Sequence, residues 1–230
     1  MSDPIIVAEG LFKTFGGPGG EPVVALDDVS VEVAPGEMVV VMGPSGAGKS
    51  TLLQVLAGLD RPDEGSVRIA GEDITRWGDR RLARLRRQQL GFVFQSFNLV
   101  DSLTARENIA LPLEIDGREV DDAWLERLAD SLGVVDRLDH LPGQLSGGQQ
   151  QRVAVARALL ADPDVVFADE PTGALDAESA EQLTDVLVSV AHDHGHAVVV
   201  VTHDDRLARR ADRVYRLAAG QLDQLTTAGV

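Results

Sequence analysis

The sequence predicts an α/β fold with an all-helical segment inserted into its middle. Three observations carry this. Short β-branched runs alternate with helical patterns in both outer parts of the chain, as strands and their covering helices do. From Ser96 to Asp162 the strand signal almost disappears and helical patterns dominate. A glycine-rich loop stands between an apolar strand and a helix, which is the arrangement that cradles phosphate. The composition agrees, since 44% hydrophobic and 25% charged residues in a chain of 230 suffice for a sizeable core.

The candidate strands are Ile5 to Leu11, Val29 to Val33, Met38 to Met42, Ser66 to Ile69, Gly91 to Phe94, Val165 to Ala168, Ala197 to Thr202 and Arg213 to Leu217. Met38 to Met42 and Val165 to Ala168 are apolar almost without alternation, as strands covered on both faces of a parallel sheet should be. Helices are expected over Thr51 to Ala57, over the arginine-rich Arg80 to Arg87, and centrally over Arg106 to Ile115, Asp121 to Leu132 and Gly148 to Leu160. Gly16-Gly17-Pro18-Gly19-Gly20 has no helix start or Lys-Ser pair after it, so it reads as a hairpin or loop tip. No apolar run reaches the roughly 18 residues of a membrane span. The N-terminus lacks the basic start and apolar stretch of a leader, and a cytosolic chain is expected. With no cysteine, disulfides, thiolate zinc sites and thiol nucleophiles are excluded.

Charge narrows the partners. Lys and Arg number 21 against 37 Asp and Glu, leaving −16. Such a surface repels phosphate backbones unless it keeps a local basic patch. Arg80 to Arg87 is basic, but no aromatics interleave, so it reads as a solvated face and no nucleic-acid partner is expected. Lys13 and Lys49 are the only lysines. That usage fits an arginine-rich genome or, alternatively, adaptation to high salt; a salt titration of folding and activity separates the two.

Gly43-Pro44-Ser45-Gly46-Ala47-Gly48-Lys49-Ser50 matches G-x-x-x-x-G-K-[ST] in full, after the strand Met38 to Met42 and before the helix at Thr51. The glycines let backbone N–H groups turn inward at phosphate oxygens, and the helix dipole adds to the attraction. In this motif Lys49 reaches the β- and γ-phosphates and the Ser50 hydroxyl ligates Mg²⁺. Val165 to Ala168 ends in Asp169 and Glu170, which places Asp169 near Mg²⁺ and Glu170 where it can polarise a water as general base. Leu145-Ser146-Gly147-Gly148-Gln149 opens another helix and makes a second anion-binding N-terminus. One nucleotide needs one cradle, so the second implies a γ-phosphate sandwiched by another copy of the chain.

Over essentially its whole length, with every motif in family order, the chain resembles the nucleotide-binding subunits of ABC transporters. The resemblance implies a P-loop NTPase core with a mixed sheet and an antiparallel N-terminal β region, built from 1–95 and 163–230. The signature-bearing helical subdomain is then about 96–162. Residues Gly43 to Thr51 would bind ATP, with Ser50, Asp169 and Gln95 on Mg²⁺. Ser146, Gly147, Gly148 and Gln149 would meet the ATP of the other subunit in an ATP-dependent homodimer. Glu170, His203, Lys49 and Gln95 would be catalytic, His203 as the switch histidine that contacts γ-phosphate. Ala174-Leu175-Asp176 matches the loop that crosses the dimer interface. Phe15 falls where the family stacks adenine on a tyrosine; a ring face suffices for that, and Phe12 is the alternative.

Phe97-Asn98-Leu99, Glu107 to Leu113 and Pro171 to Asp176 resemble the macrolide-efflux, lipoprotein-release and cell-division subgroup. The implied function is ATP hydrolysis that drives a membrane permease on a separate chain, as an exporter or mechanical puller. The implied place is peripheral, on the inner face of the membrane. The permease contact is expected around Gln95 to Asp101, with Leu99 in it. A soluble family ATPase acting on nucleic acid or ribosomes is the alternative; a metabolic kinase would leave Leu145 to Gln149 and His203 unexplained. His192-Asp193-His194-Gly195-His196 reads as a loop without acidic partners, and no metal is expected there.

Overall fold

The computed structural model describes residues 3–16 and 21–225. Alternation turns Ile6, Ala8 and Leu11 of β1 (Ile6–Gly16) inward, and Leu26, Val29, Val31 and Val33 of β2 (Pro22–Val33). The two strands pair antiparallel from Ile6 opposite Val33 to Gly16 opposite Pro22. β3 (Met38–Met42) starts a second sheet and is followed by α1 (Lys49–Leu56). β4 (Glu64–Ile69) and β5 (Glu72–Asp73) return to β1 and complete an antiparallel sheet in the order β2-β1-β4-β5.

α2 (Asp79–Gln88) leads into β6 (Leu90–Phe94). Three helices then follow before the next strand: α3 (Ala105–Ile115), α4 (Asp122–Ser131) and α5 (Gly147–Leu159). Each starts on a side chain that accepts from its first turn: Thr104, Asp121 and Ser146. β7 (Val165–Asp169), α6 (Ala177–His192), β8 (Ala197–Thr202), α7 (Asp205–Arg210), β9 (Arg213–Ala218) and β10 (Gln221–Leu225) complete the described chain. The second sheet runs β10-β9-β3-β8-β7-β6; all neighbours are parallel except β10 on β9, so the sheet is mixed, as expected.

This order brings the carboxyl ends of β3, β7 and β8 side by side. Met42 pairs with Thr202 and Asp169 with Val201, so the loops that leave these strands converge at one edge. In open α/β sheets that edge is where ligands bind. Both faces of the sheet are covered. Val39, Val41, Phe167 and Val199 pack with α1 and the antiparallel sheet, while Met38, Val40, Val166 and Val198 pack with Ile109, Leu125, Val153 and Leu183 of the helical layer.

Several elements differ from the sequence reading. β1 and β2 extend well beyond Leu11 and ahead of Val29, because register shifts in their pairing break the regular alternation. The expected loop tip falls at 17–20, outside the described residues, with Gly16 still in β1. β5 and β10 are mostly polar edge strands with no apolar run to announce them. The sequence reading assigns no element to α6 or α7; Asp176 and Asp204 cap them. His192 ends α6 and does not lie in a loop.

Candidate functional site

The glycine loop is held by the strands beside it. A Cβ on Gly43 would come within 2.3 Å of the Leu217 carbonyl oxygen, and one on Gly48 within 2.2 Å of that of Ala25. Gly48 also has φ +99 and precedes α1 without a side-chain cap. Its place in the left-handed region suits glycine alone. The first N–H groups of α1 therefore keep no side-chain partner, and no acidic residue stands in its first turn. Pro44, Ser45, Gly46 and Ser50 are exposed, whereas Ala47 and Lys49 are buried and Thr51 is half-buried. Lys49 Nζ donates to the Gly43 carbonyl at 2.8 Å and that of Pro44 at 3.2 Å, and lies 3.6 Å from Glu170 Oε1. A curled loop, free helix N–H groups and a buried ammonium fit a polyphosphate.

The acidic strand end lies against this loop. Asp169 Oδ1 accepts from Ser50 Oγ at 3.2 Å. Burial pushes the Asp169 carboxyl up; the Ser50 bond opposes this, Glu170 adds to it, and Lys49 opposes it more weakly. Glu170 has φ +46, uncommon for a residue with a Cβ. Its Oε2 accepts from His203 Nδ1 at 2.8 Å and from Thr202 Oγ1 at 3.1 Å. His203, 73% exposed at its side chain, thus carries its proton on Nδ1 and presents Nε2 outward. Ser50 and Asp169 together make the sparse oxygen set that suits Mg²⁺, which keeps waters and phosphate oxygens as its other ligands. Among the described residues, no group of three or more His, Cys, Asp or Glu side chains could hold a metal.

Gln95 follows β6, and Phe94 pairs with Asp169, so Gln95 is level with Glu170. A Cβ on Gly173 would sit 2.9 Å from Gln95 Nε2, so only glycine leaves that amide its place. Phe15 is 43% exposed with Lys13 Nζ 5.3 Å from its ring centroid, while Phe12 is half-buried. Ser146 is exposed at the start of α5, in a reciprocal cap with Gln149 at 2.9 and 3.3 Å. Gly148 has a reason within the chain, since a Cβ there would meet Ser179 Oγ at 2.7 Å. Gly147 has no contact that close and is half-buried. Among the described residues no hydrogen bond joins 146–149 to the glycine loop. The fold therefore gathers Lys49, Ser50, Asp169, Glu170, His203 and Gln95 around one strand edge, and presents Ser146 to Gln149 apart from it.

Sequence reasoning missed a network behind this edge. Asp204 accepts from Thr172 Oγ1 at 2.8 Å and, two-pronged, from Arg206 Nε and Nη2 at 2.9 and 2.7 Å. Its own N–H donates to Thr202 Oγ1 at 3.0 Å. One side chain thus ties the loops after β7 and β8 together, and its place directly after His203 was the available signal. Burial alone would raise the Asp204 carboxyl; the bonds from Arg206 and Thr172 outweigh it and hold the group at about 2, against an ordinary 3.8. A depressed pKa stabilises the fold above the ordinary value, and that support is lost as pH falls toward the folded one. Asp204→Asn is therefore expected to melt below wild type at neutral pH, with the gap closing from about pH 4 to about pH 2. Thermal unfolding across that range checks it.

The histidine cluster departs from expectation. His192 Nε2 lies 3.0 Å from Asp212 Oδ2, and His196 Nδ1 is 2.6 Å from the Pro163 carbonyl. Acidic and backbone partners do exist, and they serve different histidines without converging on one point.

A family model described as ABC transporter matches residues 26–173. The macrolide export ATP-binding/permease protein MacB of Marinobacter nauticus is 44% identical over 227 residues, covering 98% of this chain and 35% of its own length. An uncharacterized ABC transporter ATP-binding protein of Thermotoga maritima is 46% identical over 214 residues, covering 92% of this chain and 91% of its own. The chain thus spans about a third of the MacB-type relatives it matches. Among solved structures, the dimeric structure of MJ0796, a bacterial ABC transporter cassette, agrees with TM-score 0.86 at 40% identity, over 96% of this chain and 99% of that one. A post-hydrolysis state of MJ0796 bound to ADP and Pi agrees equally well, at 39% identity. With its fold, its phosphate loop and these relatives in accord, the chain belongs to the ABC transporter family, as an ATP-binding and ATP-hydrolysing cassette.

Proposed function

We propose that two copies of this chain close around two ATP molecules and drive a membrane permease of the macrolide-export kind. The observation that carries the reading is the contact of Lys49 with Glu170 and of Glu170 with His203 at the mouth of the glycine loop. Gly43 to Thr51 surround the phosphates, and Phe15 offers its exposed ring to the adenine. Ser50, Asp169 and Gln95 would hold Mg²⁺, which would supply neutralisation of phosphate charge. Lys49 exchanges its carbonyl partners for the β- and γ-phosphates, and His203, freed from Glu170, donates a ring N–H to the γ-phosphate. Glu170, released from both, takes the proton of the attacking water. Ser146 to Gln149 complete the site from the partner copy.

The helical residues, about 96–162, form the subdomain that receives the permease. Among the described residues no helix is long and apolar enough to cross a membrane, and the MacB relatives carry their permease in the same protein by name. The Thermotoga maritima relative, matched over 91% of its own length, favours a permease on a separate chain, with the cassette at the inner membrane face. Its landing place is a 470 Å³ groove between α2 and α3, where Asn98 stands at the rim. Leu99, by contrast, is half-buried and packs into the helical core. With net charge −16, nucleic acid is disfavoured as the driven partner.

Lys49→Ala tests the reading. ATP hydrolysis should vanish and nucleotide binding should weaken, because the site loses its one buried ammonium. Steady-state phosphate release and fluorescent-nucleotide titration measure both, and wild-type turnover would sink the assignment.

A further inference from the structure

The cations of this acidic chain are unevenly spread. Residues 76–87 hold six arginines and one aspartate, a net +5, so the rest of the chain carries −21. The acids around this run are already engaged. Asp79 pairs with Arg61 at 3.1 Å, Asp116 with Arg87 at 2.8 Å and Glu72 with Arg81 at 2.8 Å. Asp73 accepts from the Thr75 N–H and hydroxyl. Arg76, Arg80 and Arg84 are exposed, and among the described residues none of them bonds to a carboxylate or a carbonyl. Arg80 and Arg84 stand one turn apart on α2. Arg84 also lines a 260 Å³ pocket between α2 and the β4–β5 turn, with Trp77 and Gln89. Glu72 is the one acid in that lining. Arg81 matches its charge, with the guanidinium carbon 3.4 Å from the Trp77 ring centroid. Arg84 is left as the uncompensated cation of the pocket.

We propose that this face binds the headgroups of an anionic lipid bilayer, with one headgroup phosphate in the pocket on Arg84 and its neighbours on Arg76 and Arg80. This rests on the docking reading above: Arg86 and Arg87 of the same helix line the groove given to the permease, which turns α2 towards the membrane. A guanidinium fork fits phosphate oxygens in pairs. Clusters of about four to eight such cations on a helix suit an anionic leaflet. The net charge of −16 keeps the rest of the chain off such a surface, so contact is confined to this face. Nucleic acid fits less well, because the Trp77 ring is half-buried under Arg81 and leaves no aromatic free to stack a base.

Sedimentation of the full chain with vesicles tests this. At about 0.1 M salt the chain should pellet with phosphatidylglycerol vesicles and stay in solution with phosphatidylcholine, and about 1 M salt should release it. Arg80→Gln with Arg84→Gln should lower the partition coefficient about thirtyfold, the share of two arginines at an anionic surface. Neither side chain holds an internal bond, so the pair can be removed without unpairing a partner. Ile115→Ala, in the groove, should leave pelleting unchanged. Equal pelleting with both lipids, no pelleting, or an unaltered partition in the Arg80 and Arg84 variant overturns the proposal. If calorimetry shows inorganic phosphate binding that depends on Arg84 while vesicles do not pellet the chain, the pocket is a free-anion site and the lipid contact falls. Arg84-dependent binding to duplex DNA that is tighter than to vesicles overturns it as well. No permease is present, so failure here leaves the groove reading standing, and failure of the groove reading leaves pelleting as it is.

Discussion

Glu170→Gln is expected to bind ATP normally and to hydrolyse it about 10²- to 10⁴-fold more slowly, the usual worth of a general base. The geometry makes this a narrow change. An amide oxygen can still accept from Thr202 Oγ1 and His203 Nδ1, which lie 3.1 and 2.8 Å from the native carboxylate. What the amide loses is the proton affinity and the charge opposite Lys49, 3.6 Å away. The variant should also become a dimer when ATP is added, since a closed sandwich could form but not reset. Light scattering with and without ATP reads this directly; a protein that stays monomeric counts against the shared site.

Mixing two inactive variants should restore activity. Lys49→Ala breaks the glycine loop and Ser146→Arg breaks the exposed cap of α5, so each homodimer has two defective sites. A mixed dimer would hold one doubly broken site and one site with every part intact. Random pairing makes half the dimers mixed, so about a quarter of all sites should work under two-fold symmetry. Phosphate release by the 1:1 mixture, against each variant alone, is the measurement. If both motifs served one ATP within one chain, no mixture would recover. Native mass spectrometry should accompany the assay, because silence is decisive only when mixed dimers are present.

How much of this was legible in the sequence depends on how local each feature is. The glycine loop is contiguous, and its strand and helix flank it directly, so Gly43 to Ser50 are legible in the sequence itself. The central sheet was legible for the same reason: Met38 to Met42 and Val165 to Ala168 are apolar throughout because both faces are covered. The Asp204 network was not, because Thr172 and Asp204 are 32 residues apart and meet only through the parallel pairing of β7 with β8. Gly148 has two reasons to be glycine: its place in the expected anion cradle is contiguous, whereas the crowding of a Cβ there against Ser179 Oγ arises only in the fold. The proposed docking groove includes Asn98, within the stretch Gln95 to Asp101 to which the sequence points, whereas its walls come from α2 and α3, which no local pattern joins.

The bonds from Lys49 to the carbonyls of Gly43 and Pro44 have a kinetic meaning. The ammonium acts as an internal placeholder, keeping the loop in a phosphate-sized curl. Little backbone freedom is then left to lose on association, so ligand capture draws less on ordering entropy. Capture should accordingly be governed by diffusion and by the approach of an anion to an acidic protein, and its rate should rise with added salt, whereas a loop that had to fold first would show slow, concentration-independent closure.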